Sequence, residues 1–245
     1  MRKILLQTTR EERDANTRLL EATTPIHKEY SALHGFEYVV QVFKSCSANY
    51  WQNYWQKHYA INSLLLNKEA GRELDDGDFI AYLDNDAMIV DSSCDLETAL
   101  SSTLPSTISS SFQYDIGLVK CNSSVERYYG KYDVGVMLIR VSPNTRKLFS
   151  DMARARPLPP PKEHIDKLVF NEILQRNFKV RLKELDARFN NYPGAFAPLL
   201  TNKGLRGPEI IRAWHGMNKQ LTCHAIKHTV RKLRVISREF QAPSL

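Results

Sequence analysis

The sequence predicts one α/β domain whose central, mostly parallel sheet is flanked by helices. Strand-like and helix-like segments alternate from residue 3 to residue 83, an order that is typical of β-α-β units and of a parallel sheet. Hydrophobic residues make up 42% of the 245 residues, which is enough for one sizeable core. In such folds the ligand site lies beyond the carboxyl ends of the strands.

The first half of the chain supplies the β-α-β pattern. Its helical segments carry apolar residues at intervals of three and four, and its strands are short apolar runs. The predicted elements are strands at 3–8, 36–40 and 79–83 and helices at 14–30 and 50–66. Because the run at 79–83 (FIAYL) is hydrophobic throughout, we expect it to be buried on both faces of the sheet.

The second half of the chain is less regular. A Ser- and Thr-rich stretch at 91–111 predicts loop with one short helix. Consecutive prolines within 156–161 fix φ and remove hydrogen-bond donors, so this segment is predicted to be a loop and a candidate lid. The remaining predicted elements are strands at 115–120, 134–140 and 179–182, helices at 144–153 and 165–176, and irregular chain at 190–194.

Charge and cysteine content narrow the class of protein. The formal net charge of +7 indicates an anionic partner, which can be a nucleotide diphosphate, an anionic membrane surface or a nucleic acid. The four cysteines form no CxxC pair, so free thiols are expected rather than a zinc ribbon or a disulfide framework. The apolar run at 4–6 is too short for a signal peptide, and nothing later approaches the length of a membrane span, which favours the cytoplasm.

Two aspartates, Asp84 and Asp86, follow the buried strand and predict a metal site. With one residue between them, both carboxylates lie at the same edge of the sheet. Mg²⁺ and Mn²⁺ prefer oxygen ligands and can bridge carboxylates to the phosphates of a nucleotide. A second triplet, at 76–78, is interpreted as a solvated turn because it precedes the strand. An ordinary loop remains the alternative interpretation of Asp84 and Asp86.

The segment that contains these aspartates resembles a known family. Residues 79–90 (FIAYLDNDAMIV) are similar to the "WLDxDAxI" segment of GT-A fold glycosyltransferases, specifically of the galactosyl-, mannosyl- and xylosyltransferase family of fungi and plants. Three other patches of the chain also resemble the family, and all four occur in the family's order. They are 27–37, similar to "HxxYAxxHGYE", 55–57, similar to "WxK", and 133–140, similar to "NxGxFLIR". The resemblance covers roughly residues 1 to 220 in patches.

The resemblance implies roles for residues of the first half of the chain. Asp84 and Asp86 would hold the metal, with Asp84 also at the nucleotide sugar, and Lys57 would lie near the ribose or the diphosphate. The segment Thr8, Thr9 and Arg10 would line the base pocket. Lys57 is equally well interpreted as an exposed helix cation, and Trp55 is expected in the core.

A late histidine and lysine are further candidates by resemblance. The family uses a histidine as an additional metal ligand, followed by a glycine and a lysine that meet the phosphates, and His215, Gly216 and Lys219 are the matching residues. The spacing departs from the family's pattern, because the glycine follows the histidine immediately. A structural histidine is therefore the alternative interpretation of His215, and the assignment of Lys219 depends on that of His215.

Three residues are implied at the transferred sugar. Asp166 resembles the acidic member of the family's "DQ" segment, although Lys167 replaces its polar partner. Asp166 can also be a carboxylate that favours the start of a helix. Asp133 and Gly135 would approach the sugar, while an ordinary strand start is the alternative. The resemblance thus assigns Asp166 and Asp133 as catalytic and Gly135 to the donor site.

The C-terminal segment at 224–240 is predicted to be a basic amphipathic helix. It can lie on an anionic membrane or pack against its own domain, and the second interpretation is preferred. His224 and His228 have helical spacing for zinc, but no third ligand is apparent. We divide the predicted single domain into a nucleotide-sugar-binding half at 1–95, an acceptor-side half at 96–222 and a basic tail at 223–245.

The predicted function is transfer of a sugar from a UDP- or GDP-sugar to a glycan or lipid-linked hydroxyl. The reaction is expected to depend on Mn²⁺ or Mg²⁺. The family resemblance implies that the anomeric configuration of the sugar is retained. Two alternatives stay open. A haloacid-dehalogenase-like phosphatase fits poorly because Ala87 stands where that family has threonine or valine. A non-enzymatic anion- or nucleic-acid-binding protein would explain the positive charge but not Asp84 and Asp86, and the sequence contains no recognised nucleic-acid module.

Overall fold

We describe the protein from a computed structural model. The residues that it describes are 1–11, 15–44, 52–66, 73–101, 114–121, 130–155, 165–190 and 210–213. The predicted loop at 156–161 and the predicted helix at 224–240 lie outside them, as do His215 and Lys219. No helix in these ranges is both long enough and apolar enough to cross a membrane.

The described elements follow the predicted order closely. The helices are α1 (Ala15–His34), α2 (Gln52–Leu66), α3 (Leu96–Leu100), α4 (Pro143–Arg154) and α5 (Ile165–Arg176). The strands are β1 (Lys3–Arg10), β2 (Glu37–Phe43), β3 (Phe79–Leu83), β4 (Ala87–Ile89), β5 (Ile116–Lys120), β6 (Tyr132–Arg140), β7 (Leu182–Leu185) and β8 (Ile211–Ala213). A short 3-10 helix covers Ala187–Asn190.

Six strands form a central sheet in the order β2-β1-β3-β6-β5-β7. The pairs β1–β2, β1–β3 and β5–β7 are parallel, whereas β6 is antiparallel to both β3 and β5. All strands of the sheet except β6 therefore run in one direction, which confirms the predicted α/β class with a mostly parallel sheet. A separate antiparallel pair, β4–β8, was not predicted as strands.

Helices cover both faces of the sheet, and each face has its own hydrophobic cluster. One cluster contains Trp55 of α2 and Phe149 of α4, and the other contains Tyr30 of α1 and Leu96 of α3. All five residues of β3 are buried and alternate between the two clusters. The prediction of a strand buried on both faces is thus confirmed, and Trp55 is a core residue as expected.

Local sequence signals account for several element ends. Gly35 adopts φ 70°, a left-handed conformation that ends α1 at little cost because glycine has no Cβ. Helix α4 begins with a capping box, in which Ser142 and Thr145 exchange hydrogen bonds with each other's backbone. Pro143 occupies its first turn, where the missing N–H costs nothing.

The last central strand lies further along the chain than predicted. The sequence predicts it at 179–182, but β7 covers Leu182–Leu185. The shift has a physical cause. Residues 178–180 form a turn, in which the Val180 N–H donates to the Asn177 carbonyl, so pairing with β5 begins only at Leu182.

Three strand ends meet at one edge of the sheet. Strands β1 and β3 run parallel and end there, and β6, which is antiparallel to β3, begins there. This edge consequently carries Thr8 and Arg10 from β1, Asp84 after β3 and Asp133 from β6.

Candidate active site

The Asp84-Asn85-Asp86 segment is a tight turn between β3 and β4. The Asp84 N–H donates to the carbonyl of Gly135 on β6 at 2.8 Å, and the Ala87 N–H donates back to the Asp84 carbonyl at 2.9 Å. Backbone hydrogen bonds therefore tie the turn to the sheet on one side and close it on the other. Both carboxylates lie where the fold predicts a ligand site.

The carboxylate of Asp84 is held by two side chains. Lys57 Nζ lies 3.0 Å from Oδ1 and 3.1 Å from Oδ2. The Tyr82 hydroxyl donates to Oδ1 at 2.7 Å and lies 3.2 Å from Thr8 Oγ1. Burial, and next the negative charge of Asp84, raise the pKa of Tyr82 well above its usual value, so the phenol keeps its proton and acts as the donor.

Lys57 is buried and faces two carboxylates. Only 6% of the residue is exposed, so its interpretation as an exposed helix cation is wrong. Its ammonium group lies 3.7 Å from Asp166 Oδ2 in addition to its contacts with Asp84. Burial lowers the pKa of Lys57, but the charges of Asp84 and Asp166 outweigh it and the pKa is raised overall. Lys57 is therefore a permanent cation of the site.

Asp166 lies beneath Lys57 in the first turn of α5 and is completely buried. His58 Nε2 lies 3.7 Å from Asp166 Oδ2, and the imidazole stacks on Phe170 with ring centroids 5.6 Å apart. Burial lowers the pKa of His58, so the ring is neutral near pH 7. Burial alone would raise the pKa of Asp166, but Lys57 and His58 lower it. The predicted contact of Asp166 with the sugar is not available in this structure, because no part of the residue is exposed.

A second buried ion pair joins β6 to α5. Lys167 Nζ lies 2.6 Å from Asp133 Oδ2, and the N–H of Gly135 donates to Asp133 Oδ1 at 2.6 Å. Burial lowers the pKa of Lys167, but the negative charge of Asp133 more than offsets this and raises it. Lys167 replaces the polar residue that the family's motif has at this position. In the structure it compensates the charge of Asp133.

The three residues predicted for the base pocket do not share one face of the sheet. Side chains alternate along a strand, so Thr8 and Arg10 lie on the face of β1 that packs against α2. Thr9 is buried on the opposite face, toward α1. Of the three residues, only Thr8 and Arg10 therefore lie on the same face of the sheet as Lys57.

The donor set at the turn fits a hard divalent cation. Asp84 and Asp86 offer carboxylate oxygens at one edge, the ligand type that Mg²⁺ and Mn²⁺ prefer. Within the described ranges, no group of three or more His, Cys, Asp or Glu residues is arranged to hold a metal. His215, the third ligand that the sequence predicts, lies outside these ranges.

Sequence reasoning missed Tyr82, His58 and the role of Lys167. Tyr82 carried a usable signal, since a polar hydroxyl two residues before Asp84 on a buried strand must share its face. His58 and Lys167 carried none beyond their position next to Lys57 and Asp166. Their roles depend on α2 and α5 covering the same face of the sheet and contributing to the same hydrophobic cluster.

Comparisons with known proteins bear on the family and the fold of the chain. A model of the galactosyl transferase GMA12/MNN10 family matches residues 3–145, more than half of the chain. A solved glycosyltransferase involved in the glycosylation of the major capsid of PBCV-1 is similar in structure, with a TM-score of 0.63 and 10% identity, and the match covers 92% of this chain and 99% of that one.

A second solved structure shares the fold at lower similarity. Mouse xyloside xylosyltransferase 1, in its apo form, matches with a TM-score of 0.50 and 12% identity over 88% of this chain and 98% of that one. No curated protein matches the sequence significantly. At such identities the solved structures support the fold alone. The matched sequence region shows the family: the chain belongs to the galactosyl transferase GMA12/MNN10 family and is a GT-A fold glycosyltransferase.

Proposed function

We propose that the protein transfers a sugar from a UDP- or GDP-sugar to a hydroxyl of a glycan or glycolipid, in a reaction that depends on Mn²⁺ or Mg²⁺. The observation that carries the proposal is the Asp84–Asp86 turn, which backbone hydrogen bonds fix at the carboxyl edge of the sheet beside the buried cation Lys57. An acidic turn next to a cation suits a diphosphate that is bound together with a divalent metal.

The metal would be held by Asp84 and Asp86, with His215 as a further ligand. When bound, a divalent cation stabilises the negative charge that develops on the diphosphate as it leaves. Lys57 would contribute a second positive charge close to the ribose or the diphosphate, and Lys219 a third. A cation in a largely buried site acts more strongly on the diphosphate than one in water, because solvent screens it less.

The residues of β1 and β6 would orient the donor. Thr8 and Arg10 lie at the end of β1 on the side of Lys57, where a nucleotide base would lie. Asp133 and Gly135 begin β6 and would approach the transferred sugar. The ion pair with Lys167 holds the Asp133 carboxylate in one position, so that a hydroxyl of the sugar meets a preorganised acceptor.

The burial of Asp166 argues against direct contact with the sugar. It lies behind Lys57 and contacts Lys57 and His58. Asp166 therefore acts as a positioning residue that holds the ammonium group of Lys57 toward the donor, rather than as a catalytic residue that touches the sugar.

Thermal unfolding with UDP, GDP, CDP and ADP, each with and without Mn²⁺, tests the proposal. A ligand at about 100 times its dissociation constant stabilises the native state by about 2.7 kcal/mol, a rise of roughly 5 to 10 °C in Tm for a domain of this size. We expect this rise for UDP or GDP only when Mn²⁺ is present. Asp86→Asn should abolish it.

The second aspartate triplet supplies a matched control. Asp76→Asn makes the same chemical change in an exposed turn, where Asp76 pairs only loosely with Arg146 at 3.5 Å. This variant should respond to nucleotide and Mn²⁺ as the unmodified protein does. A full response in Asp86→Asn, or no response of the unmodified protein to any nucleotide, would contradict the proposal.

Retention of anomeric configuration is expected from the family resemblance. The stereochemistry can be read by NMR of the isolated product, because the new glycosidic bond does not mutarotate and its two possible configurations differ in the coupling constants at the anomeric position. A product with the configuration of the donor supports retention, and the opposite anomer excludes it.

A further inference from the structure

A second polar cluster lies behind the acidic turn, on the face of the sheet opposite Lys57. It consists of Gln7 on β1, His27 on α1 and Tyr38 on β2. Gln7 and His27 are both 0% exposed, although the surrounding cluster is hydrophobic. Polar groups are retained in such surroundings only when they are hydrogen-bonded. The contacts of this cluster lead to the turn.

The backbone of β4 determines the tautomer of His27. The N–H of Ile89 points at His27 Nε2 at 3.4 Å, so Nε2 must accept. Burial lowers the pKa of His27 to about 3, and the ring is therefore neutral at pH 7. A neutral imidazole that accepts at Nε2 carries its proton on Nδ1. Nδ1 lies 2.8 Å from Gln7 Oε1 and donates to it.

Two donors fix the orientation of the Gln7 amide. Besides His27, the Tyr38 hydroxyl donates to Gln7 Oε1 at 2.7 Å. Because Oε1 is the acceptor in both contacts, the NH₂ group must point the other way. There Gln7 Nε2 donates to the carbonyl oxygen of Asp84 at 3.3 Å.

The cluster thus joins the two ends of the segment that contains the acidic turn. The carbonyl of Asp84 accepts hydrogen bonds from the Gln7 amide and from the Ala87 N–H that closes the turn. At the other end, His27 accepts a hydrogen bond from the N–H of Ile89. Every hydrogen bond from β4 through His27 and Gln7 to Asp84 has one possible direction, so the network permits a single arrangement.

We propose that Gln7, His27 and Tyr38 form a positioning network that holds the Asp84-Asn85-Asp86 turn in its metal-binding conformation. The proposal rests on the proposed function for the metal itself, whereas the effect on the turn can be measured without metal. Residues that orient the ligands of a metal in this way commonly contribute 10- to 100-fold to its affinity.

Removing one hydroxyl tests the network with little risk to the fold. Tyr38→Phe deletes a donor to Gln7 Oε1 and leaves the aromatic ring in place. Tyr30→Phe is the matched control, because the Tyr30 hydroxyl is also hydrogen-bonded, to the Cys94 carbonyl and the Leu96 N–H at 2.9 Å each, but it does not contact the turn. Urea unfolding should show similar losses of stability in the two variants.

Hydrogen exchange of the metal-free protein, resolved for a peptide that spans 84–90, is the first measurement. Tyr38→Phe should exchange about fivefold faster there than the unmodified protein, since the turn opens more often. Tyr30→Phe should leave this peptide unchanged. Equal exchange in the two variants would overturn the positioning network, whatever the protein does with nucleotides.

Mn²⁺ affinity, measured by electron paramagnetic resonance with saturating UDP or GDP, is the second measurement. We expect about tenfold weaker binding in Tyr38→Phe and unchanged binding in Tyr30→Phe. Gln7→Met should weaken Mn²⁺ binding further, because it removes both the acceptor for His27 and Tyr38 and the donor to the Asp84 carbonyl. Altered exchange with unaltered affinity would overturn the link to the metal. Absence of Mn²⁺ binding by the unmodified protein would instead overturn the proposed function.

Discussion

At the scale of single residues, the site is organised around one lysine with two carboxylate partners. Lys57 lies 3.0 Å from Asp84 and 3.7 Å from Asp166, and both Lys57 and Asp166 are removed from solvent. A buried pair of this kind contributes little net stability compared with apolar residues. Removing one partner is costly, however, because the other charge is left buried. Lys57 therefore links donor binding to the stability of the fold.

We expect Lys57→Met to lower the free energy of unfolding by about 3 kcal/mol, since it leaves the Asp166 carboxylate buried without its cation. Adding Asp166→Asn should restore part of this loss, because the two residues interact and their effects are not additive. Urea unfolding of the single and double variants measures the coupling. Strictly additive losses would show that the two residues do not interact.

An exposed lysine supplies the control for these stability measurements. Lys147 pairs with Asp151 one helical turn away and has 66% of its side chain exposed. Exposed pairs on a helix contribute only about 0.3 to 0.5 kcal/mol, so Lys147→Met should change stability little. A loss as large as that of Lys57→Met would indicate a general effect of removing lysines.

The residues that the sequence could identify are those whose chemistry depends on local position. Asp84 and Asp86 were recognisable because they follow a strand that is apolar throughout. Lys167 was interpreted as a departure from a motif, yet it neutralises Asp133, which lies 34 positions earlier. Such a partnership depends on tertiary packing, and no spacing along one chain reveals it.

At the scale of secondary structure, the strand direction of β6 determines which residues meet. Eleven residues, 121–131, separate β5 from β6. That connection is too short for the crossover that a parallel neighbour needs, so β6 runs antiparallel. Its first residues consequently lie at the edge where β3 ends, and Asp133 and Gly135 lie beside the acidic turn. Alternation of helices and strands predicted the class of the sheet but not this reversal.

Element boundaries were predictable where the pattern was strong. The observed bounds of β3 and α5 agree with the prediction, because β3 is an uninterrupted apolar run between polar residues and α5 has apolar residues at helical intervals. Strands β4 and β8 have three residues each, which is too few for alternation to be recognised. The start of β7 depends on the turn that precedes it, in which the Val180 N–H donates to the Asn177 carbonyl, and the apolar pattern does not reveal this turn.

At the scale of the whole molecule, the two faces of the sheet have different electrostatic characters. The face covered by α2 and α5 carries the ion pairs of the candidate site. The face covered by α1 carries the neutral network of Gln7, His27 and Tyr38. Another buried polar contact, between Asp115 and Arg181, lies apart from both networks. We expect it to affect the stability of the fold rather than the candidate site.

Asp115 gives the molecule a dependence of stability on pH that can be measured away from the site. Burial by itself would raise the pKa of Asp115, but hydrogen bonds from Arg181 lower it below its usual value. A carboxylate whose pKa is lower in the folded state stabilises the protein above its unfolded pKa, about 3.9 for Asp. This contribution is lost as the pH falls through the folded pKa.

Asp115→Asn should therefore destabilise the protein at pH 7 by about 1.5 to 3 kcal/mol, the range for hydrogen bonds to a charged group. The difference from the unmodified protein should shrink when urea unfolding is repeated at pH 3, because this pH lies below the pKa of Asp115 in the unfolded chain, which then binds a proton there. Asp151→Asn, in the exposed pair with Lys147, should cost less than about 0.5 kcal/mol at either pH. A loss in Asp115→Asn that is the same at both pH values would show that the charge of Asp115 does not stabilise the fold, and that shape alone holds β7 in register.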